Sequence, residues 1–93
     1  MINSVIISRN ARKDLKKIPQ YIANKLAVWV RSVSNTSLEE VRKLPAYHDE
    51  PLKGKRKGQR SIRLSNAYRA IYVIKMDGSV EFVSVEEVNK HDY

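Results

Sequence analysis

The sequence predicts an α+β domain: one strand, two or three helices, then a three-stranded antiparallel meander, with the helices packed on one face of a single sheet. Three observations predict it. Apolar residues recur at helical spacing between Ile18 and Val30. Strand-length blocks rich in β-branched and aromatic residues follow Arg60. Asp77-Gly78 separates the last two of those blocks with a hairpin signal.

Residues Ile2 to Ser8 (INSVIIS) read as the opening strand because β-branched side chains suit a pleated surface. Asn10 is placed to cap a helix running to about Ile18, with Leu15 and Ile18 on its apolar side and Arg12, Lys13, Lys16 and Lys17 exposed. Pro19 opens a second helix, where proline is tolerated in the first turn. Ile18, Ile22, Leu26, Trp29 and Val30 should face the core. The polar run SNTS breaks the pattern. Ser37 and Glu40 have capping-box spacing for a short third helix carrying Leu38, Val41 and Leu44, which Pro45 should stop. Ala46 to Gln59 reads as a polar loop. Arg60 to Ser65 alternates, with Ile62 and Leu64 on one face and Ser61, Arg63 and Ser65 on the other. Tyr68 to Lys75 and Ser79 to Val88 complete the meander.

The chain's 93 residues suit one domain, residues 1–93. Its 18 Lys+Arg against 10 Asp+Glu leave a formal charge of +8. That excess favours a polyanionic partner such as RNA, DNA, an anionic membrane or an acidic protein. Cysteine is absent, which excludes disulfides, thiol catalysis and Cys-ligated metals. No apolar stretch approaches the about 20 residues that span a bilayer. The N-terminal apolar run precedes its charges, the reverse of a signal peptide. A cytoplasmic protein without a membrane partner is expected.

The segment Lys53 to Arg63 (KGKRKGQRSIR) holds six cations, Lys53, Lys55, Arg56, Lys57, Arg60 and Arg63, and no acid. Its glycines allow close backbone approach, so the loop can track a phosphate backbone. It can equally be a solvated basic loop. Arg63 and Arg69 fall on strands, where a guanidinium held in place can grip phosphate oxygens and stabilise charge growing in a transition state. Their alternative is a solvent-facing position, or an ion pair with Glu81 or Glu86. His91 and Tyr93 in the tail and His48 in the loop are acid/base candidates. No residue spacing suits a metal or a nucleotide-binding loop, so no cofactor is expected. RNA cleavage fits this inventory because RNA carries its own nucleophile, the 2′-hydroxyl.

At PLKGKRKGQRSIRLSNAYRAIYVI the sequence resembles the RelE/ParE toxin superfamily, most closely its RelE-like and HigB-like members. The pattern is Pro51 to Gly54, Arg56, Gly58, Ser61 to Arg63, and Tyr68-Arg69, with VEEVNKHDY as the last strand and tail. The resemblance covers essentially the whole chain. It implies a RelE-like, microbial-RNase-like fold and a type II toxin encoded beside an antitoxin. It also implies metal-independent mRNA cleavage in the ribosomal A site. Carried across, Lys53 and Arg56 fall on basic residues that position RNA. Arg63 falls near the arginine that supports the transition state, and His91 and Tyr93 near the C-terminal acid/base and stacking residues. Where HigB-like members place a histidine just before PLKG, Glu50 stands here, with His48 two positions earlier. The expected catalytic set is Arg63, His91, Tyr93 and Lys53. The expected RNA-binding set is Lys55, Arg56, Lys57, Arg60, Arg69 and Lys90. A cognate antitoxin in a hetero-oligomer, mRNA and the ribosome are the expected partners. ParE-like inhibition of DNA gyrase and a non-catalytic RNA- or ribosome-binding module are the alternatives.

Overall fold

A computed structural model describes residues 1–90. Strand β1 (Val5–Ile7) leads into helices α1 (Arg9–Leu15), α2 (Gln20–Asn35) and α3 (Leu38–Val41). A 3₁₀ turn (Pro45–Tyr47), strand β2 (Glu50–Pro51) and a second 3₁₀ turn (Gly54–Arg56) follow. Strands β3 (Arg60–Arg63), β4 (Tyr68–Asp77) and β5 (Val80–Lys90) close the domain. The five strands form one sheet in the order β1-β5-β4-β3-β2. β1 pairs with β5 in parallel and every other pair is antiparallel. The α+β class and the meander are as the sequence predicts. The fifth strand, β2, arises inside the segment expected to be loop. It is two residues long and lies at the sheet edge, where Pro51 needs no ladder partner for a missing N–H.

The helix boundaries depart from expectation for local reasons. Ser8, not Asn10, caps α1: its Oγ accepts the Ala11 N–H at 3.1 Å, while its own N–H donates to the Val85 carbonyl at 2.9 Å. One residue thus ends the sheet pairing and starts the helix. α1 stops at Leu15 rather than about Ile18, since the residue before Pro19 is disfavoured in helical conformation. Pro19 is the cap residue of α2 and not its first turn. Ser37 caps α3 as its spacing predicts, accepting the Glu40 N–H at 3.1 Å. Leu44 lies beyond that helix and is exposed.

One face of the sheet carries the core. Ile22, Leu26, Trp29 and Val33 of α2 and Leu38 and Val41 of α3 are buried with Ile62, Ala70, Tyr72, Val83, Val85 and Val88. Ile18 and Val30, expected in the core, are half-buried at its margin. The Trp29 and Tyr72 rings meet at 5.4 Å in a tilted arrangement, within the favourable range for aromatic pairs.

A β-bulge in β5 sets what the opposite face presents. Ile71 pairs with Glu87 and Tyr72 with Val85, so Glu86 is the extra residue. Strict alternation from Val83 and Val85 would turn Glu87 inward. The bulge instead returns Val88 to the core. β1 has ended by this point, and Asp14 of α1 accepts the Val88 N–H at 3.0 Å in its place. At the far end of the hairpin, Gly78 takes a φ of 61° at the first of two loop positions, as a type II′ turn requires.

Candidate nucleic-acid interface

The antiparallel register places Arg63 of β3 directly opposite Arg69 of β4 on the face away from the helices. Directly opposed like charges disfavour a strand pair. Arg63 is exposed and has no hydrogen-bond or ion-pair partner among the described residues. Among the described residues, Arg69 Nε donates one long bond, 3.4 Å, to Asn89 Oδ1. Beside them is a polar pocket of about 70 Å³ whose lining includes His48, Glu50, Ser61 and Tyr68. His48 sits at the left-handed end of the first 3₁₀ turn, with φ 44°. Its neighbour Glu50 is positioned by the pairing of β2 with Ser61 of β3.

Asp49, between them, fixes this segment to the sheet. Its carboxylate is only 1% exposed. Oδ1 accepts from Arg60 Nε at 2.7 Å, and Oδ2 accepts from the Tyr72 hydroxyl at 2.7 Å. Burial, and then the adjacent Asp49 carboxylate, push the Tyr72 hydroxyl well above its ordinary pKa. The phenol therefore stays protonated and donating. Arg60 is opposite Tyr72 in the register and is spent on this network.

The basic loop divides in the same way. Lys53, Lys55 and Lys57 are exposed and make no ion pair with a described residue. Arg56 forks onto Glu87, with Nη1 at 2.8 Å from Oε2 and Nη2 at 3.3 Å from Oε1, and also donates to Gln59 at 2.9 Å. That fork holds the second 3₁₀ turn to β5. The bond from Arg56, reinforced by its charge, keeps the Glu87 carboxyl below its usual value of 4.5. A depressed carboxylate stabilises the fold above the unfolded value and loses that contribution as pH falls through the folded one. Glu87→Gln should therefore flatten the decline of the urea midpoint below about pH 4.5. Parallel pH profiles for the two proteins would show that the fork contributes nothing.

The chain matches the family model described as "ParE toxin of type II toxin-antitoxin system, parDE" over residues 5–90. It belongs to the ParE toxin family of type II toxin–antitoxin systems. No curated protein sequence matches this ParE-family toxin. Its fold is similar to solved toxin structures. The YoeB/ParE toxin from Agrobacterium tumefaciens superposes with a TM-score of 0.70 at 20% identity, covering 96% of this chain and 99% of the other. YafQ from E. coli gives 0.73 at 21% identity, covering 96% and 93%. The RelBE2 toxin–antitoxin complex from Mycobacterium tuberculosis gives 0.68 at 24% identity, covering 96% and 98%. The toxin has the RelE-like fold that its sequence resemblance implies.

Among the residues singled out in the sequence, the toxin brings Arg63, Arg69 and His48 to one pocket. Lys90 pairs opposite Tyr68 and is not part of the pocket lining. Lys53, Lys55 and Lys57 lie outside the pocket lining, and Arg56 and Arg60 hold the scaffold. His91 and Tyr93 lie outside the described residues. Neither arginine pairs with Glu81 or Glu86; the Glu86 carboxylate instead meets Lys75 at 3.5 Å. Sequence reasoning missed the roles of Asp49, Glu50 and Ser61. It also missed the opposition of Arg63 and Arg69, although pairing two strands about the turn Ser65-Asn66-Ala67 brings them level. Among the described residues no three His, Asp or Glu side chains converge on a point that could hold a metal ion. Among the described residues no helix is long and apolar enough to cross a membrane.

Proposed function

We propose that this toxin is an endoribonuclease that cuts messenger RNA on the ribosome. The opposition of Arg63 and Arg69 beside an anion-sized pocket supports this reading most directly. Two guanidinium groups side by side become favourable when an anion lies between them, and a phosphodiester is such an anion. Cleavage needs the 2′-oxygen to bond to phosphorus as the bond to the 5′-oxygen breaks. The 2′-hydroxyl proton goes to a base and the leaving 5′-oxygen takes a proton from an acid. Arg63 and Arg69 offset the charge that builds on the phosphoryl oxygens. His48, at the pocket, serves one proton transfer in this reading, and His91 or Tyr93, outside the described residues, is the candidate for the other. The exposed Lys53, Lys55, Lys57 and Lys90 hold the flanking backbone.

The partner is a cognate antitoxin, as in the RelBE2 complex and the E. coli DinJ–YafQ complex, both similar in fold. A segment laid across a +8 surface gains from acidic charge. The groove of about 390 Å³ between α1 and α2, floored by Ile7, Leu15, Leu26 and Val30, suits the apolar side of an amphipathic helix.

A short pulse of expression in a bacterial host, with mRNA 5′ ends mapped for wild type and Arg63→Ala, tests the activity. New ends inside reading frames, in codon register and absent from the variant, are expected. The family match favours one other reading, inhibition of DNA gyrase. Growth arrest with intact mRNA and an induced DNA-damage response would establish that reading instead.

A further inference from the structure

The small polar pocket has a larger neighbour. Arg63, Ser65 and Asn66 also border an open cleft of about 630 Å³ between α2 and the connection from β3 to β4. Val28 of α2 and Ala46 and Tyr47 of the first 3₁₀ turn give the cleft apolar walls, and Asn24 and Lys25 edge it. Val28 is 46% exposed although it lies mid-helix. Four turns of α2 face the core with Ile22, Leu26, Trp29 and Val33, so Val28 is an apolar side chain set apart from that stripe.

We propose that this cleft is a nucleobase subsite, seating one base of the RNA whose phosphate lies at Arg63 and Arg69; it rests on the ribonuclease reading above. The argument is one of continuity. The anion-sized polar pocket and the apolar cleft share a border at Arg63, Ser65 and Asn66, so one occupant can present an anion to one and a flat apolar body to the other. A nucleotide has that form. The Tyr47 ring offers a stacking surface, which any base can use. Val28 and Ala46 contact the base without requiring a hydrogen bond. The Asn24 amide both donates and accepts, so it can meet a base edge. Lys25 is placed for the next phosphate along the strand.

The purified toxin tests this through backbone amide NMR. It is titrated with the four nucleoside 3′-monophosphates, with ribose 5-phosphate as a baseless sugar phosphate, and with inorganic phosphate. At least one nucleotide is expected to bind about tenfold tighter than ribose 5-phosphate, the scale of one base stacked on an aromatic ring. Amides of Val28 and Ala46 should move with the nucleotide alone, and those of Arg63 and Arg69 with all three ligand types. Tyr47 packs partly against the core, so Tyr47→Phe and Tyr47→Leu are compared. The first should keep the nucleotide advantage over ribose 5-phosphate and the second should lose most of it. Val28→Gln, on an exposed helix face, should reduce the advantage without changing the melting temperature. Equal affinity for nucleotide and ribose 5-phosphate, with Arg63 and Arg69 responding, would overturn the base subsite and leave the phosphate reading intact. Silence at Arg63 and Arg69 with every ligand would overturn both.

Discussion

Asp49→Ala is expected to lower the stability of the domain by about 3–5 kcal/mol, the usual consequence of removing one partner from a buried ion pair. Arg60, whose side chain is only 22% exposed, would lose its carboxylate partner and with it the neutralising charge. Tyr72, fully buried against Trp29, would keep a hydroxyl with no acceptor. Tyr72 has no route to solvent, being fully buried under the helices, whereas Arg60 could recover only part of its hydration. The loss is large against a total stability of about 5–15 kcal/mol for such domains. Urea denaturation of Asp49→Ala, Tyr72→Phe and the double variant measures it. The double variant should lose less than the sum of the single ones, since each removes the same bond. A loss under about 1 kcal/mol for Asp49→Ala would mean that the network is solvated in solution.

Arg63→Ala should act in the opposite manner, on function and not on the fold. Loss of one preorganised donor to a developing oxyanion lowers cleavage by about 10²–10³-fold. Arg63 is exposed, and removing it relieves the like charge facing Arg69, so stability should stay within about 0.5 kcal/mol of wild type or rise slightly. A reconstituted translation reaction, with cleavage read by primer extension and melting followed in parallel, separates the two effects. An equal fall in activity and melting temperature would make Arg63 a structural residue. Lys55→Ala offers a graded contrast: in the proposed ribonuclease reading this exposed lysine meets a phosphate, so its loss should weaken binding and reduce its salt dependence without abolishing cleavage.

Most of the fold was legible in the sequence because its signals are local. The helical spacing of Ile22, Leu26 and Trp29, the cap at Ser37 and the turn at Asp77-Gly78 each act within a few residues. What the sequence concealed depends on distant partners. Ser8 outcompetes Asn10 as the helix cap because Ser8 is already fixed by its bond to Val85. Glu50 and Pro51 become a strand only because Ser61 and Arg60 lie alongside. The site follows the same division. The charge of the Lys53 to Arg63 segment was plain. Which cations remain available was not, since Arg56 and Arg60 are taken by acids 31 and 11 positions away. Composition counts cations; register decides which of them face a ligand.

The position of β5 has a consequence for how the toxin is made. β5 lies between β1 and β4 in the sheet, yet it is the latest of the five strands to leave the ribosome. Until it emerges, β1 has nothing to pair with, and β4 lacks the neighbour that supplies Asn89 beside Arg69. Contacts between distant parts of a chain form late, because closing a long loop must precede them. The sheet therefore stays incomplete until β5 has been made. Any activity that needs the closed sheet cannot precede the synthesis of β5.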